Sequence, residues 1–196
     1  MTAFIISLAV IFVAELGDKS QLMALTFATR FRALPVLAGI TVATALVHLA
    51  SVLLGAAVGV VLPTGPISIL AGLAFFGFAA WTLRGDELTE DERRKAAAAT
   101  RSAMLAVGGA FLLAELGDKT MLATVTLAAY NPGIAGLIGV WAGSTVGMIA
   151  ADALAIGAGR LLGRRLPERT IRIGAVVAFA IFGALLIVDG IRTMAS

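Results

Sequence analysis

Two stretches of this sequence carry charge where almost everything around them is apolar. Ala14-Glu15-Leu16-Gly17-Asp18-Lys19-Ser20 recurs 100 residues later as Ala114-Glu115-Leu116-Gly117-Asp118-Lys119-Thr120. Read as helix, Glu15 and Asp18 share one face, and Lys19, four residues on from Glu15, can reach back to it; the second copy repeats the arrangement. Gly17 and Gly117 let another backbone approach closely or permit a local break. An ion pair in each copy, locking helix packing, accounts for one acid per lysine and leaves a second acid over. Four carboxylates against two ammonium groups leave a charge of −2, the charge a divalent cation neutralises. Carboxylate, hydroxyl and carbonyl oxygens suit hard cations such as Ca²⁺, Mg²⁺ and Mn²⁺. Once such a cation leaves, crowded carboxylates in a low dielectric repel one another and favour proton uptake. One divalent ion against two protons keeps this site electroneutral.

Other polar residues are candidates of lower specificity. Ser20, Gln21 and Thr120 adjoin the motifs and offer neutral oxygens, or ordinary hydrogen bonds between helices. Asp152 lies in an apolar stretch with no basic residue within a helical turn, which reads as functional. His48 lies one turn from the position equivalent to Asp152 and suits an interhelical hydrogen bond or a proton relay. Asp189, three residues before Arg192, reads as interfacial. Met23 and Met121 read as packing, or as a soft sulfur favouring Mn²⁺ over Ca²⁺.

The elements that hold these residues are apolar and long. Of 196 residues 60% are hydrophobic and 14% charged, with a mean hydropathy of +1.00, far from soluble composition. Without cysteine there is no disulfide or thiolate metal site, and one histidine excludes a His-rich metal site and argues against a Ser-His-Asp triad. Apolar runs at 3–28, 34–62, 67–84, 102–129, 134–160 and 171–191 are near or above the ~20 residues that cross a bilayer. An ionised residue at a bilayer centre costs about 2.5–3.5 kcal/mol, so the motif charges must face one another, water or a cation. The first run lacks a basic leader and a cleavage site and reads as a retained helix.

Arg30 and Arg32 follow the first run, five basic residues lie from Arg84 to Arg101, and five more from Arg160 to Arg172. Twelve of the fifteen thus fall on one side, Arg192 on the other, and Lys19 and Lys119 within spans. The positive-inside rule places the basic loops in the cytoplasm and both termini outside. The pI near 10.0 therefore needs no nucleic acid. The expected fold class is an all-α integral membrane protein of six transmembrane helices in two inverted three-helix repeats, 1–84 and 102–196. They are joined by a charged cytoplasmic linker, 85–101, in which Thr89 and Glu92 resemble a capping box. Three helices per half force the second half to insert upside down, as in secondary transporters whose site lies at the repeat interface. Glycines such as Gly55, Gly59, Gly139, Gly143 and Gly147 fit close helix packing.

Two copies of Glu-x-Gly-Asp-(Lys/Arg)-(Ser/Thr), each in the first helix of a three-helix repeat, resemble the Golgi-type calcium/manganese:proton exchangers. That family includes bacterial manganese exporters and chloroplast relatives. The resemblance covers essentially the whole chain: Glu15, Gly17, Asp18, Lys19 and Ser20 match one copy, and Glu115, Gly117, Asp118, Lys119 and Thr120 the other. It implies export of Mn²⁺, or of Ca²⁺, from the cytoplasm against protons, with Glu15, Asp18, Glu115 and Asp118 as the metal site. The expected location is the bacterial inner membrane. The partners are then the cation, protons and lipid, with homo-oligomers compatible and no cofactor expected. An enzyme is not expected, since no nucleophile–base pair or cofactor motif is present. A passive cation channel, a small-solute exporter of the amino-acid type and a non-transporting assembly factor are the alternatives.

Overall fold

The computed structural model describes residues 1–61, 63–84, 103–162 and 168–195. Among them are eight helices: α1 (Thr2–Glu15), α2 (Lys19–Arg30), α3 (Ala33–Val61), α4 (Thr64–Arg84), α5 (Ala103–Glu115), α6 (Lys119–Tyr130), α7 (Ile134–Leu162) and α8 (Glu168–Ala195). The charged linker 85–101 lies outside the described residues. Ala33–Gly59, Gly65–Arg84, Ile134–Ala158 and Arg172–Ala195 are long and apolar enough to cross a membrane. Large apolar side chains such as Leu53, Leu54, Leu113 and Leu185 face outward, as lipid contact requires and water does not favour.

The stretches read as continuous spans at 3–28 and 102–129 are each broken in the middle. Leu16 leaves the helix with ψ 117°, and Gly17 takes φ +77°, a left-handed conformation that costs glycine little and other residues more. Asp18 then sits extended at φ −81°, ψ 165° as the N-cap of α2. The second copy repeats the turn almost to the degree, with Gly117 at φ +82° and Asp118 at φ −78°, ψ 168°. Sequence periodicity cannot show such a break, because the helices on both sides of it are apolar.

Packing between helices fixes their relative directions. Gly139, Gly143 and Gly147 of α7 lie against Ala3, Phe4 and Leu8 of α1, so these two helices run parallel. Gly39 of α3 meets Met104 and Gly108 of α5, while Gly55 and Gly59 meet Val125 to Ala129 of α6, again parallel. By contrast, α3 and α7 run antiparallel, since Thr44 meets Met148 at 3.5 Å and His48 meets Thr145 at 3.4 Å. Antiparallel too are α4 and α8, where Gly72 meets Gly183 and Gly65 meets Gly190. A Cβ at Gly147 would lie 2.6 Å from the Leu8 carbonyl oxygen, so only glycine permits that approach, and in lipid such contact is the main packing force. Phe75, at ring-centroid distances of 5.8 Å from Phe179 and 5.0 Å from Phe182, fills the α4–α8 seam.

Candidate functional site

The two breaks face each other in the interior. Each half contributes one helix end of each polarity: the C-termini of α1 and α5, carrying Glu15 and Glu115, and the N-termini of α2 and α6, carrying Lys19 and Lys119. Helix dipoles favour cations at C-termini and anions at N-termini. Glu15, Glu115, Lys19 and Lys119 therefore sit at the wrong end of their own helix, whereas Asp18 and Asp118, as N-caps, sit at the favourable one. The lysines there are met by charges and the glutamates by hydroxyls.

The charges that meet the lysines come from the opposite half. Lys119 Nζ donates to Asp18 Oδ1 at 2.6 Å in a fully enclosed pair. Lys19 Nζ lies 3.7 Å from Asp118 Oδ1, with 19% of its side chain exposed. The lysines thus bridge the halves. Lys19 and Lys119 open new helices, so the four-residue spacing to Glu15 and Glu115 does not run along one continuous helix face. Each glutamate is met by the hydroxyl that ends its motif. Ser20 donates to Glu15 Oε1, and Thr120 donates to Glu115 Oε2 at 2.8 Å.

Glu15, Asp18, Glu115 and Asp118 are all buried, and several of their oxygens are left without a hydrogen bond: Glu15 Oε2, Glu115 Oε1 and Asp118 Oδ2. Asp152 joins them from α7. It is fully buried, neither of its oxygens has a hydrogen-bond partner, and it lies within electrostatic reach of Glu15 and Glu115. These five acids are the oxygen donors that could take a cation. Among the described residues, however, no three acidic or histidine side chains already stand as a ligand set. In this state the aspartates are engaged by lysine and the glutamates by hydroxyl.

The remaining sequence candidates divide. Gln21 supports the turn, its Oε1 accepting from the Gly17 amide at 2.9 Å and its Nε2 donating to the Ala151 carbonyl at 3.1 Å. Met121 takes the equivalent place in the second copy, its sulfur 3.1 Å from the Gly117 amide nitrogen. Met23 is core, buried with Ala24 and Phe27. His48 makes the interhelical contact to Thr145 noted above. Asp189 accepts from Tyr130 at 3.0 Å and from Ser68 at 3.4 Å, far along α6 from the motif. Sequence reading missed the buried hydroxyls of Thr44, Ser51 and Ser144. The signal was available: Thr44, His48 and Ser51 fall at i, i+4 and i+7, a polar stripe on an apolar helix.

Comparison with known proteins bears on this geometry. Residues 3–90 and 103–194 match the family described as "Divalent cation/proton antiporter GDT1". A Vibrio cholerae protein named "Putative manganese exporter" is 33% identical over 174 residues, covering 88% of this chain and 84% of that protein. The GDT1-like protein sll0615 of Synechocystis is 30% identical, with 94% of this chain and 96% of its own length covered. The chloroplastic GDT1-like protein 2 of rice is 32% identical over 92% of this chain, which spans only 59% of the rice protein. No solved structure matches the chain.

Proposed function

The chain belongs to the GDT1 family of divalent cation/proton antiporters, and we propose that it exports Mn²⁺, or Ca²⁺, from the cytoplasm in exchange for protons. It is a transporter and not an enzyme. The name of the Vibrio relative favours manganese. The chain forms six crossings of the bacterial inner membrane. Neither α1 (14 residues) nor α2 (12 residues) alone has the ~20 residues needed, and end to end they do, as do α5 and α6. The halves are inverted repeats. Support comes from helix direction: α1 runs with α7, α5 runs with α3, and α3 opposes α7, so α1 and α5 oppose each other.

The single observation that carries this reading is the crossed pairing of Lys119 with Asp18 and Lys19 with Asp118. It supports a single enclosed site shared by both motifs between the halves. The lysines are resident counter-ions there. An arriving divalent cation draws the carboxylates of Glu15, Asp18, Glu115 and Asp118 toward itself and displaces the ammonium groups. When it leaves toward the outside, protons and the lysines restore neutrality. Discontinuous helices suit this exchange, because their ends offer unpaired backbone groups and can rearrange without unfolding a whole span.

Purified protein in liposomes, loaded in turn with Mn²⁺, Ca²⁺, Mg²⁺ and Cd²⁺, tests the proposal. Metal-driven proton flux is expected, with Mn²⁺ the strongest driver. Asp18→Asn and Asp118→Asn should each reduce it by an order of magnitude or more, since each removes one of the charges that the cation neutralises. Metal flux without proton movement identifies a channel, and wild-type rates in both variants show the motifs to be structural.

A further inference from the structure

The edge of the molecule on the Ala195 side carries a polar cluster that the motifs do not account for. Tyr130 closes α6, Ser68 lies in the second turn of α4, and Asp189 lies within the last two turns of α8. Because α4 and α8 run antiparallel, with Gly65 against Gly190, the three meet at one membrane edge. Tyr130 donates to Asp189 Oδ2 at 3.0 Å, and Ser68 donates to the same oxygen at 3.4 Å. With Thr193, these residues line a cavity of about 210 Å³. Among the described residues its lining holds one acid, three hydroxyls and no basic group. Asp189 is exposed, and so is Arg192, three residues on along the same side of α8.

A second cavity, of about 130 Å³, shares Ile67 and Ala129 with the first. It lies one turn deeper along α4 and α6, at Ala71 and Thr126, and Val58 of α3 borders it. Its lining is apolar apart from Thr126, whose hydroxyl donates to the Leu122 carbonyl at 2.9 Å. Leu70 is 55% and Val58 45% exposed there, so this groove opens sideways, toward lipid. From the edge inward the order is acceptor oxygens, then an apolar groove, with a guanidinium beside the opening. A carboxylate with hydroxyl lone pairs takes an ammonium that brings N–H donors, and an arginine fork takes a phosphate. A bare divalent ion is served less well, since one carboxylate neutralises half its charge and Arg192 repels it. We propose that this edge binds phosphatidylethanolamine, its ammonium among Asp189, Tyr130 and Ser68, its phosphate on Arg192 and one acyl chain along the groove. Lipid tails are all as apolar as the groove, so the headgroup sets the selection. Since α6 opens with Lys119 and ends with Tyr130, a lipid held here braces the far end of a helix that carries one bridging lysine. The inference needs only a membrane-spanning chain and goes beyond the exchanger reading.

The test titrates the purified chain in detergent with phosphatidylethanolamine, phosphatidylcholine or phosphatidylglycerol of identical acyl chains and follows the thermal unfolding midpoint. The choline lipid keeps the phosphate but has no N–H to donate, and the glycerol lipid has no cation. Phosphatidylethanolamine should reach half of its full effect at about one-tenth of the ratio that the choline lipid needs, the worth of one hydrogen bond to a charged group. Asp189→Asn should erase most of that preference, while Arg192→Gln should weaken both zwitterionic lipids alike. Should Asp189→Asn fail to fold, Tyr130→Phe decides: it keeps the ring, removes one acceptor oxygen and should narrow the preference. Equal potency of the three lipids in the wild type overturns the proposal, as does a preference unchanged in Asp189→Asn or Tyr130→Phe. An Asp189-dependent rise with Mn²⁺ in place of any lipid preference makes the cavity an ion site and overturns it too. No transport is measured, so each of these outcomes leaves the exchanger reading standing, and a chain without metal-driven proton flux can still show the lipid preference.

Discussion

At the scale of single residues, the two lysine–aspartate bridges are chemically alike and physically unequal. Lys119 meets Asp18 at 2.6 Å with both side chains enclosed, while Lys19 stands 3.7 Å from Asp118 and is partly wet. Removing one partner of an enclosed pair leaves an uncompensated charge and costs about 3–5 kcal/mol. Water screens the wetter pair and lowers its worth. Lys119→Ala should therefore lower the thermal unfolding midpoint in detergent clearly more than Lys19→Ala. Adding Asp18→Asn to Lys119→Ala should return part of the loss, since the stranded charge goes with it. Equal midpoints for the two lysine variants would contradict the inequality. The acids of this candidate site were legible, the four of the duplicated motif from their repetition and Asp152 from its apolar setting. The cross-half partners were not, because contiguous residues offered only Glu15 and Glu115 as mates of Lys19 and Lys119, and only the folded chain brings Asp118 and Asp18 to the lysines.

At the scale of elements, the break is where sequence said least and geometry says most. Apolar runs marked 3–28 and 102–129 as spans, and hydropathy has no way to register a turn whose flanks are equally apolar. Gly17 and Gly117 were the only hint. The glycines of the straight helices were easier to read, since Gly55, Gly59, Gly139, Gly143 and Gly147 recur at four-residue spacing along one face and do meet neighbouring helices there. Gly117 offers a clean test of what the turn requires. At φ +82° an added Cβ would meet nothing within 4 Å, so Gly117→Ala changes backbone preference and no contact. It should cost about 1–2 kcal/mol, the penalty of the left-handed conformation for an L-residue, and Gly117→Asn should cost less. Unfolding midpoints in detergent, compared with Gly109→Ala in α5 where a Cβ also meets nothing, check this. If Gly117→Ala is as stable as wild type, the break does not hold its left-handed turn.

At the scale of the whole molecule, charge and helix direction together predict an orientation. Helix contacts run α1 parallel to α7, α5 parallel to α3, and α4 antiparallel to α8, which puts the Thr2 end of α1 and the Ala195 end of α8 on one side. The basic residues gather at the other ends. Arg32 precedes α3, Arg84 closes α4, and Arg169 and Arg172 lie in the opening turns of α8, while among the described span ends on the Thr2 side only Arg192 is basic. A positive-inside bias this large sets orientation. If the chain is an exporter as proposed, this orientation would have it take its cation from the side of the basic loops and its protons from the other. Alkaline phosphatase fused after Ala195 should be active, since it folds only outside the cytoplasm, and green fluorescent protein fused there through the general secretory route should be dark. The same pair fused after Arg84 should behave the opposite way. Fluorescence from the Ala195 fusion with an inactive phosphatase would reverse the orientation, and with it the direction in which the cation is carried.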